Sequence, residues 1–160
     1  MSKVADEKTT LLGYLDQQRA VMVSKTKGLT DEQATSSPVP SGTSLFGLLA
    51  HLTMVERWWF TAVVADLDPE FPWTDDDPDA DWRGSEGATL ADVVALYEEE
   101  CERSRVIMAG VDLDARCSQR HAKHERNVRD VVVHMVEETA RHAGHADILR
   151  ELIDGAVGYD

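Results

Sequence analysis

The sequence predicts an all-α protein, a four-helix bundle, and three observations carry that prediction. Four stretches place apolar residues at spacings of three and four among charged ones. Three of them open on a side chain able to cap a helix N-terminus, and three close on glycine. No stretch alternates convincingly as a strand, and no segment repeats. Residues 1–160 are expected to form a single domain, since this length buries most of its apolar surface in one core.

Residues 4–27 carry Leu11, Leu12, Leu15, Met22 and Val23 on one helical face, and Gly28 ends the run. Thr30, answered by Gln33, opens a short extra turn. Pro38 and Pro40 hold the next segment extended. Thr43 or Ser44 then caps a second helix from Leu45 to about Ala65. On its wheel Leu48, Val55, Trp58 and Ala62 lie within about a sixth of a turn of His51, so the imidazole points toward the core. Glu56 and Arg57 read as the water-facing positions of this helix.

From Asp66 to Asp81 the chain holds neither Lys nor Arg. It lacks the glycine and closing glutamate of a calcium loop, and reads as a solvated loop draped over one end of the bundle, with Phe71, Trp73 and Trp82 turned inward. Thr89 and Asp92 form a capping box for a third helix that runs to Ala109. Its stripe is Leu90, Val93, Val94, Tyr97, Cys101, Ser104 and Met108, with Glu98, Glu99, Glu100 and Glu102 facing water. Residues 111–126 are a polar connection containing His121 and His124. Asn127 caps the fourth helix, which runs to Gly155. The connections on either side of the second helix are long enough for crossovers.

A hydrophobic fraction of 42% with 29% charged residues is that of a soluble globular protein. The formal charge of −14 argues against nucleic acid or an anionic membrane as partner, because both need surplus Lys and Arg. No run is apolar enough to span a bilayer. The N-terminus lacks the features of a signal peptide, so a cytoplasmic location is expected. Cys101 and Cys117 fit neither a zinc knuckle nor a redox pair and are expected to be free thiols.

The chemistry concentrates in the fourth helix. At about 100° per residue, Glu138, His142 and His145 share one face within about a sixth of a turn. Leaving a carboxylate and two imidazoles inward is costly unless something pairs with them. A divalent cation resolves the cost, with His51 as the ligand from an opposing helix. The rival is a salt-bridge network with Arg141, Arg150 or Arg19. Nitrogen and carboxylate donors suit Zn²⁺ first, and Ni²⁺, Mn²⁺ or Fe²⁺ as well. Trp58 is the candidate wall of a substrate cavity near His51, and Arg150 the candidate for binding a polar substrate group, although packing and surface pairing explain both equally.

The pattern of Leu48-Leu49-Ala50-His51-Leu52, followed by Glu138-Thr139-Ala140-Arg141-His142-Ala143-Gly144-His145-Ala146-Asp147, resembles the DinB-like family of metalloenzymes nearly end to end. The run from Arg141 to Glu151, with Asp154-Gly155, resembles the branch that includes mycothiol S-transferases. The resemblance implies a bundle in up-up-down-down order and a divalent metal held by three side chains. Relatives use a His on the second helix and a His-x-x-x-His pair on the fourth. Here Glu138 takes the first place of that pair and His142 the second, as in mycothiol-dependent maleylpyruvate isomerases. His145 falls where many relatives carry Gln, leaving Glu138 and His145 as rival third ligands.

The resulting expectation is a metal-dependent S-transferase or isomerase that joins a small-molecule thiol such as mycothiol to an electrophile. The competing expectations are a metal- or ligand-binding stress protein without catalysis, and a purely structural bundle. A homodimer would be unsurprising if a bundle helix exposes an apolar strip.

Overall fold

The structure is a computed structural model that describes residues 4–121 and 124–158. Helix α1, Glu7–Ser24, starts where the Asp6 carboxylate accepts from the Thr9 amide. The short α2, Asp31–Thr35, has the expected reciprocal Thr30–Gln33 capping box. Ser44 caps α3, Leu45–Glu56, which continues without a break into a π-helical segment, Arg57–Val64. A 3₁₀ turn, Ala80–Trp82, interrupts the long connection to α4, Leu90–Ala109, whose Thr89–Asp92 box is also formed. Asn127 caps α5, Val128–Asp154, and Gly155 ends it at φ +79°, a conformation glycine adopts without strain. Among the described residues there is no strand, only isolated bridges such as Arg116 with Asn127.

Contacts between the helices fix the direction of each one. Glu7 pairs with Arg129, and Arg150 donates to the Lys25 and Lys27 carbonyls, so α1 and α5 run in parallel. Lys8 reaches the Val111 carbonyl while Arg105 meets Asp16, which sets α4 against α1. His51 lies against His142 and Trp59 against His134, so α3 opposes α5. The order is therefore up, down, down, up rather than up-up-down-down. The physical reason is that the long crossover joins the parallel pair α3 and α4, whereas the other connections only turn the chain around.

The core has two apolar clusters. One gathers Met22, Leu48, Leu52, Tyr97, Cys101 and Leu149; the other gathers Leu15, Phe60, Met108, Val131 and Met135. Between them on α1, α3 and α4 lie Arg19, Glu56 and Ser104, all buried. Arg19 donates twice to Glu56, at 2.7 and 2.6 Å, and the Ser104 hydroxyl donates to the same carboxylate at 2.7 Å. Glu56 is thus fully buried, not water-facing as its place in the sequence suggested. Glu100 is likewise buried, held by Arg57 at 2.7 Å. Both corrections have one cause: an arginine on a neighbouring element, which a single helix wheel does not show.

Removing one partner of such a pair leaves a charge stranded in the core. Arg19→Met is expected to lower the unfolding free energy by about 3 kcal/mol, read from urea denaturation. The double variant Arg19→Met/Glu56→Leu should recover most of that loss, and a double variant no more stable than the single one would show that the charges are not the cause.

Candidate metal centre

His51 and Glu138 come from α3 and α5, which face each other, and His142 follows Glu138 by one turn on the same side of α5. Glu138 Oε1 lies 3.1 Å from His142 Nε2 and 3.6 Å from His51 Nε2. One donor atom from each of the three residues fits within 4.8 Å of the others. The edges of a tetrahedron of ligands around a zinc ion are about 3.3 Å long, from bonds of about 2.0 Å. Two of the three donor separations are already near that value.

The other ring nitrogens are occupied. His51 Nδ1 is 2.6 Å from Asp81 Oδ2, and His142 Nδ1 is 3.3 Å from His145 Nδ1. Both Nε2 atoms therefore turn to the shared Glu138 oxygen, as a ligand set with outer-shell support requires. Trp82 covers His51 from one side, its ring stacked at 4.0 Å and 10° from parallel. These donors fit a divalent cation.

Burial pushes the His142 imidazole pKa below its ordinary value, and the neighbouring Glu138 carboxylate offsets this only in part. Burial alone would raise Glu138, but the His142 and His51 rings outweigh it and hold the carboxyl low. Arginine contributes little here: Arg141 Nη1 is 3.9 Å from Glu138 Oε2 and its closer partner is Glu137. Arg19 is committed to Glu56, and Arg150 to the end of α1 and to Asp154. The salt-bridge network weighed as a rival is thus not what gathers these side chains.

Of the residues singled out in the sequence, His51, Glu138 and His142 converge. His145 is exposed and stands behind His142, on the ring edge away from Glu138. Trp58 meets Phe71, Trp73 and His121. Its wheel position assumed a regular α-helix, and the π-helical segment begins just before it. Arg150 ties α5 to α1.

Sequence reasoning missed Asp81, placed in a solvated loop over one end of the bundle. The structure corrects that placement: the crossover passes alongside α3, and Asp81 is buried against it. Nothing in the run of acidic residues marks this one, apart from the aromatic neighbour Trp82. A cleft of about 680 Å³ opens between α3, α4 and the crossover, lined by Met54, Arg57, Phe71, Asp81 and Val93 among others. None of the three converging donors lines it, so the donor chemistry, not the cleft, locates the site.

A helical bundle with two imidazoles and a carboxylate presented from facing helices is the arrangement that the resemblance to the DinB-like family implied. The profile of the family described as mycothiol-S-transferase matches residues 10–155, and the chain belongs to that family. A crystal structure described as a conserved protein from Enterococcus faecalis superposes with a TM-score of 0.72, covering 96% of this chain and 100% of that one at 14% identity. At that identity the likeness shows the fold alone. No curated protein sequence matches.

Both shifts have the same sign for stability. In the metal-free protein the unfolded chain takes up a proton at His142 near its ordinary 6.5 before the folded state does, so stability falls as pH drops below that value. Glu138 adds a second contribution to stability, present above its ordinary 4.5 and lost as pH falls through its lower folded value. His142→Gln is expected to flatten the part of the stability profile that falls as pH drops below the ordinary 6.5 of histidine, read from urea midpoints in the presence of chelator. An unchanged profile would contradict the assignment.

Proposed function

We propose that the protein is a divalent-metal-dependent S-transferase that joins a low-molecular-weight thiol, mycothiol, to an electrophilic small molecule, with zinc as the metal and the cytoplasm as its place. The observation that carries this reading is the convergence of His51 Nε2, Glu138 Oε1 and His142 Nε2 in a member of the mycothiol S-transferase family. A bound divalent ion supplies Lewis acidity that lowers the pKa of a coordinated thiol.

The chain's own side chains hold and shape the centre. Held by three protein donors, a bound ion would keep a position open to a ligand from solution, the pattern of catalytic rather than structural sites. Trp82 and its stack on His51 keep water from that side of the ring. The nucleophilic sulfur has to come from outside. Cys101 is buried, and its thiol is pushed up to about 12, chiefly by that burial. Cys117 is also buried and its thiol raised for the same first reason. Neither supplies thiolate at neutral pH. In the reaction a carbon–sulfur bond forms as the thiol S–H bond and the electrophile's carbon–leaving-group bond break, the leaving group departing with its electron pair and the thiol proton passing to solvent.

Protein purified without a histidine tag should contain close to one equivalent of divalent metal by elemental analysis. Loaded with Zn²⁺ and given mycothiol and a panel of electrophiles, it should consume the thiol and yield conjugates visible by mass spectrometry. His51→Ala and His142→Ala should lose metal and activity while keeping helical circular dichroism. Metal retained by both variants would defeat the assigned site, and a metal-loaded wild type inert toward the whole panel would defeat the transferase reading and favour a binding protein.

A further inference from the structure

We infer that Asp81 is a positioning residue for the metal centre, delivered by a strap that the fold seats on α3; the inference rests on the metal-site reading above. The crossover from 65 to 89 is rich in carboxylates, and most of them are exposed, including Asp66, Asp68, Asp75, Asp76 and Asp79. Asp81 differs: it is 7% exposed, and its Oδ2 lies 2.6 Å from His51 Nδ1. Taking a carboxylate out of water is costly, so its burial there reflects a specific partner.

Two glycines make the seat. At Gly47 a Cβ would stand 2.8 Å from the Trp82 carbonyl oxygen, a backbone atom that cannot swing aside. Strap and helix touch only because residue 47 has no side chain. Gly84 leaves the strap at φ +63°, and a Cβ there would meet the Phe46 ring at 2.8 Å. Between these points the Trp82 ring lies flat on His51.

The imidazole is therefore fixed by a stacking face and by a hydrogen bond in its plane. An ionised carboxylate only accepts, so Nδ1 carries the proton and the Nε2 lone pair is left for an ion beside Glu138. Without Asp81 the neutral ring would distribute its proton over both nitrogens, and part of the population would present N–H where a ligand is needed.

The test reads both the proton and the metal. In metal-free protein with ¹⁵N-labelled histidine, two-bond ¹H–¹⁵N spectra should show His51 protonated at Nδ1 in the wild type and a mixture in Asp81→Ala. Competition with a chromophoric chelator should show zinc affinity about 10- to 100-fold weaker in Asp81→Ala. Asp81→Asn, whose side-chain oxygen still accepts, should fall between wild type and Asp81→Ala in both readouts. Gly47→Ala should weaken zinc binding by unseating the strap, and Asp76→Ala, on the exposed part of the crossover, should leave both readouts unchanged. Circular dichroism and thermal melts establish that each variant is folded, and Asp81→Asn keeps the test decisive if Asp81→Ala does not fold.

A wild-type His51 protonated at Nε2, or zinc held equally well by Asp81→Ala and Asp81→Asn, would overturn the inference. A wild type that binds no zinc would overturn the metal reading and this one with it. The spectrum of the metal-free protein separates that failure from a failure of the Asp81 link alone.

Discussion

Helices α3 and α4 run in the same direction, and much of the molecule follows from that constraint. The helical stretch from Leu45 to Val64 is on the order of 30 Å long at 1.5 Å per residue. A chain that leaves its far end and re-enters beside its near end has to travel that distance back, which takes roughly nine residues even fully extended. The crossover from 65 to 89 exceeds this minimum and spends the excess on turns and on the 3₁₀ element at Ala80–Trp82. Because it must pass along α3, it can lay a residue against the middle of that helix. An antiparallel pair joined by a short turn would leave His51 without a partner at Nδ1.

The helices were legible in the sequence for the same reason that they form. Apolar spacing and caps are local, and Thr30, Ser44, Thr89 and Asn127 accept the amide hydrogen bonds their positions predict. The convergence of His51 with Glu138 and His142 was legible too, because polar groups on an inward stripe demand an explanation that surface groups do not. What stayed hidden is non-local. The burial of Glu56 depends on Arg19, thirty-seven positions earlier in the chain, and that of Glu100 on Arg57. The order of the helices depends on which connection crosses over, and loop length alone allowed more than one answer.

The π-helical segment shows another limit of pattern reading. Its residues carry the same apolar character as the α-helix before it, so composition gives no warning. Yet the Ala65 amide reaches back five residues to the Phe60 carbonyl, and each such turn shifts every later side chain around the axis. Trp58 and Trp59 fall inside it. One meets the crossover aromatics and the other meets His134, one turn before Glu138 on α5. A wheel drawn at a constant angle loses its register beyond Glu56, where the π-helical hydrogen bonding begins.

Two glutamates on the interior faces of the bundle show why one region is structural and the other chemical. Glu56 receives a two-pronged guanidinium and a hydroxyl, so its charge is met by a permanent cation and both of its oxygens accept hydrogen bonds. Glu138 has imidazoles as its nearest partners, with the Arg141 guanidinium farther off at 3.9 Å and closer to Glu137. Burial drives His142 toward its neutral form, which removes the charge that would otherwise balance the carboxylate. The result is a carboxylate oxygen between two ring nitrogens whose far sides are already engaged by Asp81 and His145. Such an arrangement is poorly compensated by the protein alone and well compensated by a small divalent cation. The fold can carry this imbalance because the Arg19–Glu56 pair and the two apolar clusters stabilise the bundle without using any of the residues at the centre.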